Sequence, residues 1–66
     1  MTAGQKIYDW IAERLNEGRT VYATTYLTSL KLQKKHLPQI RVRGDHCEVQ
    51  RGKRWDSINY CKITAV

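Results

Sequence analysis

The chain has 66 residues and a mass of 7.8 kDa, enough for one small domain spanning residues 1–66 with a thin core. Hydrophobic residues at 41% and charged residues at 27% give a globular balance, and a net charge of +6 marks the chain as basic. No apolar run is long enough to cross a membrane, Met1 to Asn16 lacks the basic and apolar regions of a signal peptide, and two cysteines are too few for a disulfide framework; the expected setting is a reducing cytoplasm.

Residues 2–17 read as a helix. Thr2 and Gln5 have capping-box spacing, and Ile7, Ile11 and Leu15 recur at helical intervals beside Tyr8 and Ala12. Gly18 suits the left-handed position that ends a helix. Asp9, Glu13 and Glu17 make one edge of it acidic. Residues 20–27 (TVYATTYL) are β-branched and aromatic and predict a strand, with Tyr22, Thr24 and Tyr26 on one face. The stretch from 28 to 37 fits two patterns: a strand in which Leu30 and Leu32 alternate with polar residues, or a helix lined by Ala23, Leu27, Leu30, Lys34 and Leu37. Pro38 disfavours a helical conformation at Leu37 under either pattern, and the expectation is a strand to about residue 27 with a helical turn within 31–37.

Gly44-Asp45 predicts a two-residue II′ hairpin turn pairing Arg43 with His46, Val42 with Cys47, Arg41 with Glu48 and Ile40 with Val49. One face is then apolar and the other carries the Arg41–Glu48 pair, worth about 0.2–1 kcal/mol. A three-residue loop at Arg51-Gly52-Lys53 is expected to set Val49 opposite Trp55, and a last strand over about 54–64 to bend near Asp56-Ser57, where Ile58 falls out of phase. The fold class is α+β: an N-terminal helix packed on a three- to four-stranded antiparallel meander. The expected core is Ile7, Ile11, Leu15, Val21, Leu27, Ile40, Val42, Cys47, Val49, Cys61 and Ile63, with Trp10 or Trp55 partly covered. A winged-helix arrangement is the alternative, with 24–37 as recognition helix and the 46–62 hairpin as wing.

No Gly-rich phosphate loop, GxSxG or HExxH is present. Cys47 and Cys61 are the candidate nucleophiles and His36 and His46 the candidate bases, but His46 and Cys47 are neighbours on one strand and face opposite sides. The same four residues match no metal-ligand spacing. Arg43-Gly44-Asp45 resembles an integrin-ligand tripeptide, and the hairpin turn already accounts for it. The chain is therefore expected to be non-catalytic, without cofactor or metal.

The charge carries the positive indication. Residues 1–18 have a net charge of −1 and residues 19–66 a net charge of +7. Lys31, Lys34 and Lys35 form one basic group, Arg41 and Arg43 a second, and Arg51, Lys53 and Arg54 a third beside Trp55. Cations at such patches neutralise phosphates and release counterions, and nearby rings stack on bases. The expected activity is nucleic-acid binding, DNA or RNA, with low sequence specificity. Lys34, Lys35, Arg41, Arg43, Arg51, Lys53 and Arg54 would contact phosphates, and Tyr26 and Tyr60 would stack. The alternative is a small module or inhibitor that docks on a larger cytoplasmic protein, since Tyr, Trp and Arg also make interface hot spots. An edge strand offers a route to a homodimer. In size, basic balance and helix-plus-meander plan the chain is similar to many accessory proteins of phages and plasmids, a likeness of the whole chain that assigns no residue a role.

Overall fold

A computed structural model describes residues 2–25 and 28–66, apart from the side chains of Tyr60 and Cys61. The chain forms helix α1 (Ala3–Asn16), strands β1 (Val21–Thr25) and β2 (Ser29–Leu32), a short 3-10 helix (Lys34–Gln39), and strands β3 (Ile40–Arg43), β4 (His46–Arg51) and β5 (Arg54–Ala65). The predicted α+β class holds. The described residues form five strands, in the spatial order β2-β1-β5-β4-β3, where three or four were expected.

The Thr2 hydroxyl caps α1 by accepting from the Gln5 amide at 3.1 Å. Gln5 does not close the box by reaching back; its amide donates instead to Asp9 at 2.8 Å, one turn on. Gly18, at φ 84°, ends the helix. The buried face of α1 is Gly4, Ile11 and Leu15. It packs chiefly on β3, β4 and the 3-10 helix.

The Gly44-Asp45 hairpin has the predicted four-pair register. Gly44 takes φ 63° and Asp45 a negative φ, the sign pattern of the expected turn. The second turn departs from expectation. It is also a two-residue Gly-X turn, Gly52-Lys53, with Gly52 at φ 63°, so Gln50 faces Trp55 and Val49 faces Asp56. That one-residue change puts Trp55 on the outer face and brings Ile58 into phase with the core, where it is 3% exposed. The irregularity in β5 therefore lies later than predicted. Between Tyr22 and Thr24 of β1 the partner on β5 moves from Thr64 to Asn59, so residues 60–63 form the bulge.

Residues 29–32 are a strand, which removes the winged-helix alternative: the span offered as recognition helix holds the end of β1 and all of β2. Helical structure extends past Pro38 as a 3-10 helix, whose Gln33 amide donates to His36 Nδ1 at 2.9 Å. The core is Ile11, Leu15, Val21, Ala23, Leu32, Ile40, Cys47, Val49 and Ile58. Ile7, Val42 and Ile63 are half-buried at its margin, and Leu27 and the Cys61 side chain lie outside the described residues. Ala23, Leu32 and Ile58 were not expected. All four pairings are antiparallel, so β2 and β3, the free edges at the two ends of the order, run parallel to each other. The connection between them, residues 33–39, is shorter than the dozen or so residues a parallel crossover needs, and they do not pair.

Helix and hairpin meet at a glycine. A Cβ on Gly4 would lie 2.6 Å from the backbone oxygens of Gly44 and His46, and the Gly4 carbonyl accepts the Cys47 thiol at 3.0 Å. Gly to Ala inside a helix ordinarily stabilises by about 0.5–1 kcal/mol. Here Gly4→Ala should destabilise by about 1–3 kcal/mol, because the clash is with backbone that cannot yield. Urea unfolding of the two proteins reads the sign directly.

Candidate functional site

The outer face of β3, β4 and β5 carries a closed network. Arg41 Nε and Nη2 both donate to Glu48 Oε1 at 2.8 Å, and the guanidinium carbon lies 4.0 Å from the centre of the Trp55 ring. Arg41 reaches that ring across β4 because the second turn places Trp55 outward beside Gln50. His46 stands between two carboxylates, with Nδ1 at 3.2 Å from Asp45 and Nε2 at 3.6 Å from Glu48. Hydrogen bonding from Arg41 holds the Glu48 carboxyl below its ordinary value, against the opposing effect of burial, and His46 likewise lowers Asp45.

A second feature lies at the seam where β2 fails to join β3. Leu30, Lys31 and Leu32 of β2, His36 and Gln39 of the 3-10 helix, and Val49, Gln50, Arg51 and Gly52 line a cleft of about 340 Å³. β4 outruns β3 here: the β3–β4 ladder ends at Val49. Lys31 of the first basic group and Arg51 of the third thus border one cleft. Lys34 and Lys35 are exposed on the segment bearing His36, and Arg51, Lys53 and Arg54 are exposed at the β4–β5 turn. The second group is placed apart, with Arg41 half-buried in its network and Arg43 exposed at the far end of β3. Tyr26 and the side chain of Tyr60 lie outside the described residues. Sequence reasoning did not place Lys31 or the seam in the site. The signal was the Leu30/Leu32 alternation, which marks β2 as a strand.

Carboxylates are distributed differently from cations. Arg14, Arg19, Arg41 and Arg54 have carboxylate partners, Glu13, Glu17, Glu48 and Asp56. Among the described residues Lys6, Lys31, Lys34, Lys35, Arg43, Arg51, Lys53 and Lys62 have no ion-pair partner. Asp9, Glu13 and Glu17 are exposed along α1 as the helical spacing predicts, and Arg14 lies 4.6 Å from the Trp10 ring.

Cys47 is a free, buried thiol, pushed up to about 11 by burial, and His46 beside it is part-exposed. Among the described residues no group of three or more His, Cys, Asp or Glu is placed to hold a metal ion. None of their helices is long and apolar enough to cross a membrane. Comparison with protein-family models, with curated proteins and with solved structures finds no match.

Two expectations follow from the titrating groups. The folded value of Glu48 is depressed below the ordinary 4.5, so its stabilisation is complete above that pH and is lost as pH falls. Glu48→Gln should lower the urea midpoint at neutral pH and reduce the loss seen on acidification to about pH 3. Cys47 is raised above its ordinary 9.0, so its burial favours folding below pH 9 and ceases to do so as pH rises towards 11. Brief alkylation near pH 8 followed by peptide mapping should leave Cys47 unmodified in the folded chain and label it in urea.

Proposed function

We propose that the chain is a non-catalytic nucleic-acid-binding protein of low sequence specificity. The observation that carries this reading is a cleft bordered by two cations without carboxylate partners among the described residues, Lys31 and Arg51, with Lys34, Lys35 and Lys53 exposed on the segments that supply its other lining residues. A phosphate backbone is the ligand that neutralises such a row without requiring a particular sequence. Arg43 extends the basic surface along the outer face. Arg41 and Arg54, which already have carboxylate partners, contribute less than sequence reasoning assigned them. Tyr26 and Tyr60 remain stacking candidates by sequence alone, and Tyr22, 42% exposed on the outer face opposite Lys31, is a further candidate.

Docking on a larger protein is the second reading, and Trp55 under Arg41 is the feature that favours it. Such a surface calls for exposed Leu or Ile beside the rings. Among the described residues the exposed large hydrophobic side chains are Tyr22 and Val66, so the surroundings of the rings favour nucleic acid.

Fluorescence anisotropy with labelled duplex DNA, single-stranded DNA and RNA at about 50 and 200 mM salt tests the reading. Binding should weaken steeply with salt. Arg51→Ala or Lys53→Ala should weaken all ligands alike and lower the salt slope by about 1 each. Arg54→Ala should change the slope less, because Asp56 already holds that guanidinium at 3.6 Å. No binding at the lower salt would discard the reading and direct attention to a protein partner.

A further inference from the structure

We infer that the seam cleft between β2 and β4 is a subsite for one unstacked nucleotide, which makes the chain a single-strand binder. The inference rests on the nucleic-acid reading above and deepens it. A basic surface alone would hold any phosphate backbone, duplex or single-stranded. The cleft adds what a duplex cannot use. Leu30, half-buried, gives it an apolar wall, and the core residues Leu32 and Val49, only 3% and 2% exposed, close its floor. A flat ring seated there packs against Leu30 over that floor, between the polar groups of the rim.

The polar groups around the lining match a base and its phosphate. β2 is an edge strand, and Gln50 and Arg51 have no β3 partner, so backbone edges border the cleft on both sides. Such edges donate and accept, as do the side-chain amides of Gln39 and Gln50, and a base edge presents both kinds of group. His36 Nδ1 is taken as acceptor by the Gln33 amide, which leaves the neutral ring its proton on Nε2, a donor. Lys31 and Arg51 stand on opposite sides with no carboxylate partner among the described residues, suited to the flanking phosphates. The volume, about 340 Å³, lies at the low end of the roughly 300–1,000 Å³ of small-ligand sites, the scale of one nucleotide. A base buried in a duplex stack cannot enter without flipping, which costs a few kcal/mol. A single strand offers its bases freely.

The test keeps the protein unchanged and varies the ligand, so folding of a variant is not in question. Three labelled probes are titrated at one salt concentration: a mixed-sequence DNA strand of about ten nucleotides, the same strand annealed to its complement, and a strand of equal length and charge in which the central bases are replaced by abasic sites. Methyl spectra of the protein are recorded with each. The intact strand should bind about tenfold more tightly than the duplex and the abasic strand, and should alone shift the methyl signals of Leu30, Leu32 and Val49. Equal affinity for all three probes, with those methyls unmoved, would overturn the subsite and leave the basic surface as a phosphate-binding face. Absence of binding to every probe would overturn both.

Discussion

Strand β5 is the element on which the rest of the molecule depends. Its first residues, Arg54 to Ser57, pair with β4, and Ile58, Asn59, Thr64 and Ala65 pair with β1. Within the sheet it lies between the β1–β2 hairpin and the β3–β4 hairpin and pairs with both, and a two-stranded hairpin is marginal by itself in water. Which of its residues face inward is set at the Gly52-Lys53 turn. With one more residue in that loop Trp55 would turn into the core and Ile58 out of it, since the side-chain period of a strand is two. Arg41 would then lose its ring and Glu48 would stand beside a different neighbour. The outer network therefore follows from the length of a turn.

The seam follows from strand parity. Each strand runs antiparallel to its paired neighbour, and with five strands in this order the two free edges run the same way. A seven-residue connection cannot make a regular parallel crossover, so the chain spans the gap with a 3-10 helix. Gln33 caps that helix and His36 accepts from the Gln33 amide, which fixes its first turn without a buried face of its own. Polar and basic residues suit a segment that contributes no fully buried side chain, and Lys34, Lys35 and His36 occupy it. The clustering of positive charge at the seam and the failure of the sheet to close thus have one structural origin.

Local signals in the sequence were good guides where chain neighbours decide the outcome. Helix α1, its Thr2 cap, the Gly18 stop and the whole β3–β4 register were legible because caps, turns and period-two alternation are short-range. Legibility failed where a distant partner decides. Leu30 and Leu32 fit a helix or a strand until β1 supplies a pairing edge. The β4–β5 loop was misjudged by one residue because a Val–Trp pair looked favourable, although Gly52-Lys53 repeats the Gly-X pattern of Gly44-Asp45 one turn earlier. Of the candidate site, the individual cations were visible but not their grouping. Lys31 of the first basic group and Arg51 of the third meet only because β2 and the end of β4 border the same opening, and Arg41 is set apart only because Trp55 faces outward.

Charge and stability oppose each other at that opening. The chain extends 28 × 26 × 21 Å, while the screening length is about 8–10 Å at physiological salt. Charges more than a screening length apart across the molecule therefore scarcely sense one another, and like charges bordering one cleft repel. Five acidic residues, Glu13, Glu17, Asp45, Glu48 and Asp56, already lie beside a basic side chain, so little remains to offset that repulsion. A domain this small has a thin core with which to oppose it. Added salt acts in two directions: it screens the repulsion within the folded chain, and it weakens attraction to a polyanion. A polyanion bound there, as proposed, would remove the repulsion without screening anything else, and it would favour the folded chain because folding brings Lys31 and Arg51 to one cleft. Binding and folding would then be linked through the same side chains, and the uncompensated charge that costs stability in the free protein would become the source of stabilisation in such a complex.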